Sequence, residues 1–145
     1  FSSVSAPIQY AAITAHKNNH DDYIQKSKNI LKSVGNYVYE NLKSNDVLIN
    51  KPQGGFYLMP EFVGKKFNSS SEMCKDILEK TGVALLPGSD FGFKENKMLA
   101  RLSFTDFDGK NFMEKTHNEK LDNQTIKNFA PKVVEGVNRL KNWSK

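Results

Sequence analysis

The sequence contains a single cysteine, Cys74, among 145 residues. One cysteine excludes both an internal disulfide and a cysteine-rich metal site. This usage is typical of a reducing compartment, so we expect a cytoplasmic protein. No apolar run approaches the ~20 residues that a membrane-spanning helix needs, and no signal peptide is recognisable at the start of the chain. We therefore expect no membrane partner.

The chain also lacks a concentrated basic surface. Its net charge is +5, its lysines are scattered over predicted helix faces, and no stretch interleaves basic and aromatic residues. Such a pattern argues against nucleic acid as a partner. The length is sufficient for one globular domain with a real core. The chain opens on Phe1 rather than Met, which suggests a piece of a longer protein.

Recognisable metal and nucleophile motifs are also absent. His16 and His20 have the four-residue spacing of a two-histidine metal site, but no third ligand stands out and the intervening asparagines suggest a helix break. His117 has no candidate partner, and Cys74 falls in an apolar helical set, as a buried small hydrophobe would. No serine has the glycine-flanked elbow of a hydrolase, and Ser89 is expected to be a turn residue.

The acidic residues of one stretch, from Thr105 to Asn123, resemble a calcium loop only superficially. Asp106, Asp108 and Glu114 do not recur at the alternate positions that an EF-hand requires. We expect an exposed polar loop there, and no metal site.

Hydrophobic periodicity divides the rest of the chain into alternating helices and strands. Four helices are predicted. The first starts at Ser5-Ala6-Pro7 and has a small-residue face (Ile8, Ala11, Ala12, Ala15), and the second runs from Asp21 or Asp22 to Lys43 with an apolar stripe of Ile24, Leu31, Val34, Val38 and Leu42 that Ile30 and Tyr37 broaden. The third runs from Ser69 to Lys80 and is buried through Met73, Cys74, Ile77 and Leu78, and the fourth runs from Ala130 to Trp143. The predicted strands are Val47–Asn50, Gly55–Met59, Val83–Leu86 and Met98–Phe104. This order predicts an α/β fold (an α+β two-layer arrangement) with the helices on one face of a small sheet.

Two glycines have specific predicted roles. Gly35 lies in the middle of the second helix at a cost of ~1 kcal/mol relative to alanine, which suggests close approach of a neighbour. Gly82 is expected to end the third helix in a left-handed conformation.

The last predicted strand places one arginine on its polar side. Ala100, Leu102 and Phe104 point one way, whereas Arg101 and Ser103 point the other. A lone arginine in an apolar strand is costly to bury unless an anion meets it. The pattern alone is equally compatible with a surface arginine on an edge strand.

Three blocks of sequence resemble one family. The Pro87-Gly88-Ser89-Asp90-Phe91-Gly92 loop followed by the Arg101-Leu102-Ser103-Phe104 strand is similar to the C-terminal part of class I/II aminotransferases, the fold-type-I group of pyridoxal-phosphate enzymes. Two further blocks, Pro52 to Leu58 and Ser3 to Ala12, match that family in the same order. The resemblance covers nearly all of this chain but only the last third or so of the family.

The resemblance implies a fold, a site and a cofactor. Residues 1–20 would be the last helix of the large cofactor-binding domain, and residues 21–145 the small C-terminal domain, with a short, mostly antiparallel or mixed sheet. Arg101 would bind the α-carboxylate of an amino acid or 2-oxo acid substrate, with Gly55, Phe91 and Gly92 in the neighbouring walls. The parent enzyme would use pyridoxal 5'-phosphate and would typically be a homodimer.

The residues that hold this cofactor in the family have no counterpart here. The chain shows neither the lysine that binds it covalently, nor the turn that contacts its phosphate, nor the aspartate on its pyridine nitrogen. Lys28 follows a serine, but it lies within a predicted amphipathic helix. We therefore expect no catalytic residue and no covalent cofactor binding in this chain alone. Another fold-type-I enzyme (a β-lyase or an α-oxoamine synthase) remains an alternative, as does a non-catalytic module that binds a small carboxylate or a protein.

Overall fold

The computed structural model describes residues 3–116 and 121–145, so that Phe1 and His117 lie outside the described residues. Six α-helices, one short 3-10 helix and five strands occur within these ranges. In chain order they are α1 (Ala6–Lys17), α2 (Asp21–Leu42), β1 (Val47–Leu48), β2 (Tyr57–Leu58), β3 (Glu61–Phe62), α3 (Ser70–Thr81), β4 (Leu86–Pro87), the 3-10 helix (Gly88–Phe91), β5 (Ala100–Ser103), α4 (Gly109–Lys115), α5 (Asn123–Phe129) and α6 (Pro131–Ser144).

Strand β5 is the centre of the main sheet, whose order is β2-β5-β4 with both pairings antiparallel. A second antiparallel pair joins β1 to β3. The two sheets are connected, because Phe62 donates its N–H to the carbonyl of Met98 at 2.9 Å and Ala100 donates to the carbonyl of Pro60 at 3.1 Å. Strand β2 therefore pairs with β5, and β3 pairs with the residues just before β5.

The alternation in β5 separates a core face from an open face, as predicted. Ala100 and Leu102 are buried, and so is Phe104 just after the strand. They join a hydrophobic core that includes α2 residues such as Val34 and Val38 and α6 residues such as Val137 and Leu140. The prediction of an α/β fold with helices on one face of a small antiparallel sheet is therefore confirmed.

The two predicted glycine roles are both found. A methyl group on Gly35 would lie only 3.0 Å from the ring of Phe104 and 3.2 Å from the ring of Pro52. The glycine therefore lets α2 approach the end of β5 more closely than any other residue would. Gly82 has φ 73° and ends α3 by donating its N–H to the carbonyl of Leu78.

The prediction of an exposed loop from Thr105 to Asn123 is wrong for part of that stretch. Helix α4 forms there because Asp108 caps it, accepting the N–H of Asn111 at 3.0 Å. Its Phe112 is fully buried, with its ring 5.5 Å from Phe107 and 5.2 Å from Phe129. Aromatic packing with α5 therefore stabilises a helix that local composition does not predict.

Several predicted boundaries also differ from the structure. Strand β4 starts at Leu86 rather than Val83, because Val83 donates its N–H to the hydroxyl of Thr81 instead of to β5. The predicted strand from Gly55 to Met59 is shorter, and β3 follows it unpredicted. Helix α2 starts after His20, where the side chain of Asn19 accepts the N–H of Asp21 at 2.7 Å, so neither Asp21 nor Asp22 is the cap.

Two residues placed on buried stripes are exposed. The side chain of Ile24 is 44% exposed and that of Leu78 is 49% exposed. Ile24 lies in the first turns of α2, where burial begins only at Ile30. Leu78 lies on α3 one turn after buried Cys74, on the edge of the buried face rather than within it.

Helix α1 has no buried residue. Its large apolar side chains Ile8, Tyr10 and Ile13 are all exposed, so the predicted small-residue face meets no body within the described residues. Ser5 occupies the predicted N-cap position, although its side chain makes no capping hydrogen bond. None of the described helices is long and apolar enough to cross a membrane.

Candidate functional site

Arg101 lies at the middle of the open face of the main sheet. In the ladder it is paired with Leu86 of β4, and its neighbour two positions on, Ser103, is paired with Tyr57 of β2. Because side chains alternate along a strand, Arg101, Ser103 and Tyr57 point to the same face, and Tyr57 is a diagonal neighbour of Arg101. Arg101 thus lies on the central strand, with β2 and β4 paired on either side of it.

Two aromatic rings enclose the guanidinium of Arg101. Its Cζ lies 4.4 Å from the centroid of the Tyr57 ring and 4.4 Å from that of the Phe91 ring. Both distances are within the range of a favourable cation–π contact. We call these three side chains the arginine sandwich.

The Phe91 side of the arginine sandwich is fixed by a tight turn. Gly88 donates its N–H to the carbonyl of Leu99 at 2.8 Å, and Ser89 donates its N–H to the buried hydroxyl of Ser70 at 3.3 Å. Gly92 then turns the chain with φ 82° and donates to the carbonyl of Ser89 at 3.1 Å. The 3-10 helix is therefore attached both to β5 and to the start of α3.

The Tyr57 side is fixed by the start of β2. Gly55 adopts φ 66°, a conformation that favours glycine. The carbonyl of Phe56 accepts the N–H of Phe104 at 3.3 Å, which extends the ladder, and the ring of Phe56 lies 4.3 Å from that of Tyr57. The glycine turn thus sets the position at which the tyrosine enters the sheet.

The edge of the guanidinium has no partner within the described residues. Arg101 is half-buried, and no described residue forms an ion pair or a side-chain hydrogen bond with it. Its two ring contacts place the guanidinium carbon over the rings of Tyr57 and Phe91, and its N–H donors lie in the plane of the guanidinium. This geometry allows an incoming carboxylate to pair with two parallel N–H groups while the rings keep the fork in place.

Of the four residues predicted for this site, two are in contact, one follows directly in the chain and the fourth lines a different cavity. Arg101 and Phe91 are in contact, and Gly92 follows Phe91 directly. Gly55 lines a different cavity, beside α2. Tyr57 was not predicted from the sequence, because its place beside Arg101 depends on the antiparallel pairing of β2 with β5.

The residues considered for other chemistry are not assembled into sites. Among the described residues no group of three or more metal-ligating side chains occurs. His16 belongs to α1 and His20 precedes α2, so they do not share a helix. Burial, with a further contribution from the charge of Asp90, raises the pKa of the Cys74 thiol to about 11, so the thiol stays protonated and unreactive near neutral pH.

Comparison with known proteins shows the family. The family model for aminotransferase class I and II matches residues 1–114. A probable N-acetyl-LL-diaminopimelate aminotransferase of Bacillus subtilis is 36% identical over 104 residues, which are 71% of this chain and 25% of that protein. The chain therefore belongs to the class I and II aminotransferase family.

Solved structures agree. An aspartate aminotransferase from Thermotoga maritima superposes with a TM-score of 0.60 at 28% identity, covering 98% of this chain and 29% of that one. An alanine aminotransferase from Pyrococcus furiosus has the same fold with a TM-score of 0.68 at 22% identity, covering 97% and 30%. The chain spans about 25 to 30% of the length of these proteins.

Membership of this family implies pyridoxal 5'-phosphate as the cofactor, and the arginine sandwich carries none of the groups that would hold it. A covalent site requires a lysine held beside the substrate, and no described lysine is buried or contacts the arginine sandwich. Among the described residues no acidic side chain forms an ion pair or a hydrogen bond with Arg101, so the sandwich offers no carboxylate to a pyridine nitrogen. Its N–H donors are the groups that a carboxylate requires.

Proposed function

We propose that this chain is the small C-terminal domain of an aminotransferase that exchanges an amino group between an amino acid and a 2-oxo acid. In this proposal Arg101 binds the α-carboxylate, which both substrates share. The supporting observation is the arginine sandwich itself, a half-buried guanidinium on the central strand that lies over two aromatic rings and whose N–H donors have no partner among the described residues. The fixed fork would orient the substrate's Cα–H bond for proton removal.

The neighbouring residues would act mainly by position. Phe91 stacks on the guanidinium, and Gly92 lets the chain turn away directly after it. Gly55 sets the entry of Tyr57 into the sheet and would affect carboxylate binding through that residue. The residue that binds the cofactor, and the chemistry of the cofactor, would come from the remainder of the enzyme, so this chain alone would be inactive.

The burial pattern supports a proposed domain boundary. Residues 1–20 would be the last helix of the large domain and residues 21–145 the small domain. Helix α1 supports this division, since none of its residues is buried while its isoleucines and tyrosine are exposed. The parent enzyme would be a cytoplasmic homodimer.

The test is an arginine-to-lysine exchange in the parent enzyme. We expect Arg101→Lys to lower kcat/KM at least tenfold for both the amino acid and the oxo acid, because lysine keeps the charge but loses the planar fork. Visible absorption of the bound cofactor should be unchanged, because Arg101 does not hold it. Arg139→Lys on α6 is the matched control, since Arg139 contacts Glu135 and the carbonyl of Thr81 rather than the arginine sandwich.

Two results would refute the assignment. A kcat/KM within twofold of the unaltered enzyme would show that Arg101 does not bind the carboxylate. Turnover by the 145-residue chain alone with added pyridoxal 5'-phosphate would show that this chain itself contains the cofactor site.

A further inference from the structure

A second cavity of about 420 Å³ lies beside α2, outside the arginine sandwich. Its walls are the first half of α2, the segment from Pro52 to Gly55, and the ring of Phe104. A cavity of this size is within the range of small-molecule sites. Neither Arg101 nor any other part of the arginine sandwich lines it.

The charged groups at this cavity are all positive. Lys28 and Lys32 both line it, one helical turn apart on α2, and no acidic residue does. Within the described part of the chain neither ammonium group forms an ion pair, although Lys26 on the same helix is paired with Asp22 at 3.0 Å. Like charges at this spacing repel each other by ~0.2–0.5 kcal/mol, so a bound anion would relieve a repulsion that is present without it.

Gly54 and Gly55 line the same cavity as the two lysines. The N–H groups of Gly54 and Gly55 donate no hydrogen bond to any described residue, and nothing lies within 4 Å of the position of a β-carbon at either glycine. Gly55 has φ 66°, and a left-handed residue next to a right-handed one is the backbone arrangement found in many anion sites. The cavity is thus lined by two lysines without an ion pair and by two glycines whose N–H groups have no partner among the described residues.

Apart from the polar side chain of Gln53, the remaining lining is apolar. Leu31, Pro52 and the buried ring of Phe104 form it. We propose that this cavity binds a small organic phosphate, whose phosphate group contacts Lys28, Lys32 and the N–H groups of Gly54 and Gly55 and whose organic part packs on the apolar wall. Lysines act as point charges that combine well with backbone N–H groups around a phosphate, whereas planar carboxylate recognition favours the fork of an arginine.

The inference goes beyond the proposed aminotransferase function and does not depend on it. Carboxylate binding would use the guanidinium of Arg101, whereas phosphate binding would use the lysines of α2. Each can therefore fail while the other holds.

The experiment is a titration of the ¹⁵N-labelled 145-residue chain with phenyl phosphate, followed through the amide signals of Gly54 and Gly55. We expect saturable shifts of these two signals, and an affinity at least fivefold higher than for inorganic phosphate or benzoate. The variant Lys28→Gln/Lys32→Gln should lose about tenfold or more in affinity, which corresponds to ~1.4 kcal/mol. Lys127→Gln/Lys141→Gln is the matched control, because it removes the same charge from exposed, unpaired lysines of α5 and α6.

Three results would overturn the proposal. The first is a set of Gly54 and Gly55 shifts that do not saturate. The second is an equal loss of affinity in the control variant, which would show only a general effect of net charge. The third is a control ligand that binds as tightly as phenyl phosphate. Equal binding of benzoate would show that the phosphate group is not recognised, and equal binding of inorganic phosphate would show that the apolar wall does not contribute.

Discussion

Gly88 has no side chain, and the space that a methyl group would need there is occupied by Leu99. A β-carbon at Gly88 would lie 2.8 Å from the β-carbon of Leu99 and 3.0 Å from its carbonyl oxygen. The glycine is therefore required by close approach rather than by an unusual φ. Its position directly before Ser89 means that the same contact fixes the turn that carries Phe91.

We predict that Gly88→Ala destabilises the protein by ~1–3 kcal/mol, because the turn must move away from β5. The measurement is urea unfolding followed by circular dichroism. The control is Gly109→Ala at the start of α4, where a β-carbon meets nothing within 4 Å and the free energy of unfolding should stay the same or rise slightly. Equal effects of the two changes would contradict the role given to the close approach.

Individual residues differ in how far the sequence alone defined them. Arg101 and Phe91 stand out because charge and a turn motif occur within one short stretch. Tyr57 does not, because its position beside Arg101 depends on which strands pair, and a two-residue strand has too little alternation to reveal its register. The exposure of Ile24 could not be predicted either, because it depends on which other elements pack against α2.

At the scale of elements, α4 depends on one aromatic side chain. Phe112 is fully buried between Phe107 and Phe129. We predict that Phe112→Ala costs ~3–5 kcal/mol of unfolding free energy, the usual value for a buried phenylalanine. The exposed neighbour Lys110→Ala should change it by less than ~0.5 kcal/mol, and chemical denaturation of both variants checks the difference.

Helix α6 is attached to α3 by the tryptophan near its end. The indole Nε1 of Trp143 donates to Asp76 at 2.8 Å, and its ring lies edge-on to Phe62 at 5.3 Å. Hydrogen bonds from Lys80 first and Trp143 second lower the pKa of Asp76. The ionised carboxylate therefore stabilises the folded chain above the usual pKa of aspartic acid, and this stabilisation is lost as the pH falls through the lowered value.

We predict that Asp76→Asn lowers the Tm at neutral pH and that the difference from the unaltered chain shrinks at acidic pH. Because Trp143 is the single tryptophan, its fluorescence follows this helix during unfolding. Trp143→Phe removes the indole N–H that Asp76 accepts, so it should also lower the Tm at neutral pH and have a smaller effect at acidic pH. This variant is followed by circular dichroism, because it contains no tryptophan. A Tm difference between Asp76→Asn and the unaltered chain that does not depend on pH would contradict this account.

Helices with a cap and a long apolar stripe were predictable, whereas short elements were not. Helix α3 has both Ser69 as a cap, accepting the N–H of Glu72 at 3.1 Å, and Gly82 as a stop. Helix α4 is only seven residues long, and Asp108-Gly109 in isolation is typical of a turn. Its stability comes from packing against α2 and from the ring contact with α5, which no local pattern contains.

At the scale of the whole molecule, the core begins at Ile30 and ends at the last turn of α6, while α1 contributes no buried side chain. We predict that deletion of residues 1–17 changes the free energy of unfolding by less than ~0.5 kcal/mol, because none of the described residues 3–17 is buried. Asn19, which accepts the N–H of Asp21, is retained in that chain. The measurement is urea unfolding of both chains.

The comparison for this deletion is a single change in the opposite terminal helix. Leu140 is 1% exposed, so Leu140→Ala should cost ~2–5 kcal/mol. A loss of several kcal/mol on removing α1 would show that this helix belongs to the same cooperative unit as the core. That result would also argue against the proposed boundary at residue 20.

The arginine sandwich exists only when three separate parts of the chain have come together. Tyr57, Phe91 and Arg101 belong to β2, the 3-10 helix and β5. In an unfolded chain these segments are not paired, so the two rings do not stay 4.4 Å from the guanidinium carbon. Any anion that pairs with Arg101 in this geometry therefore binds the native state in preference to the unfolded one. By mass action such a ligand raises the melting temperature in proportion to the logarithm of its concentration once the site is saturated, so heat resistance itself becomes a measure of occupancy.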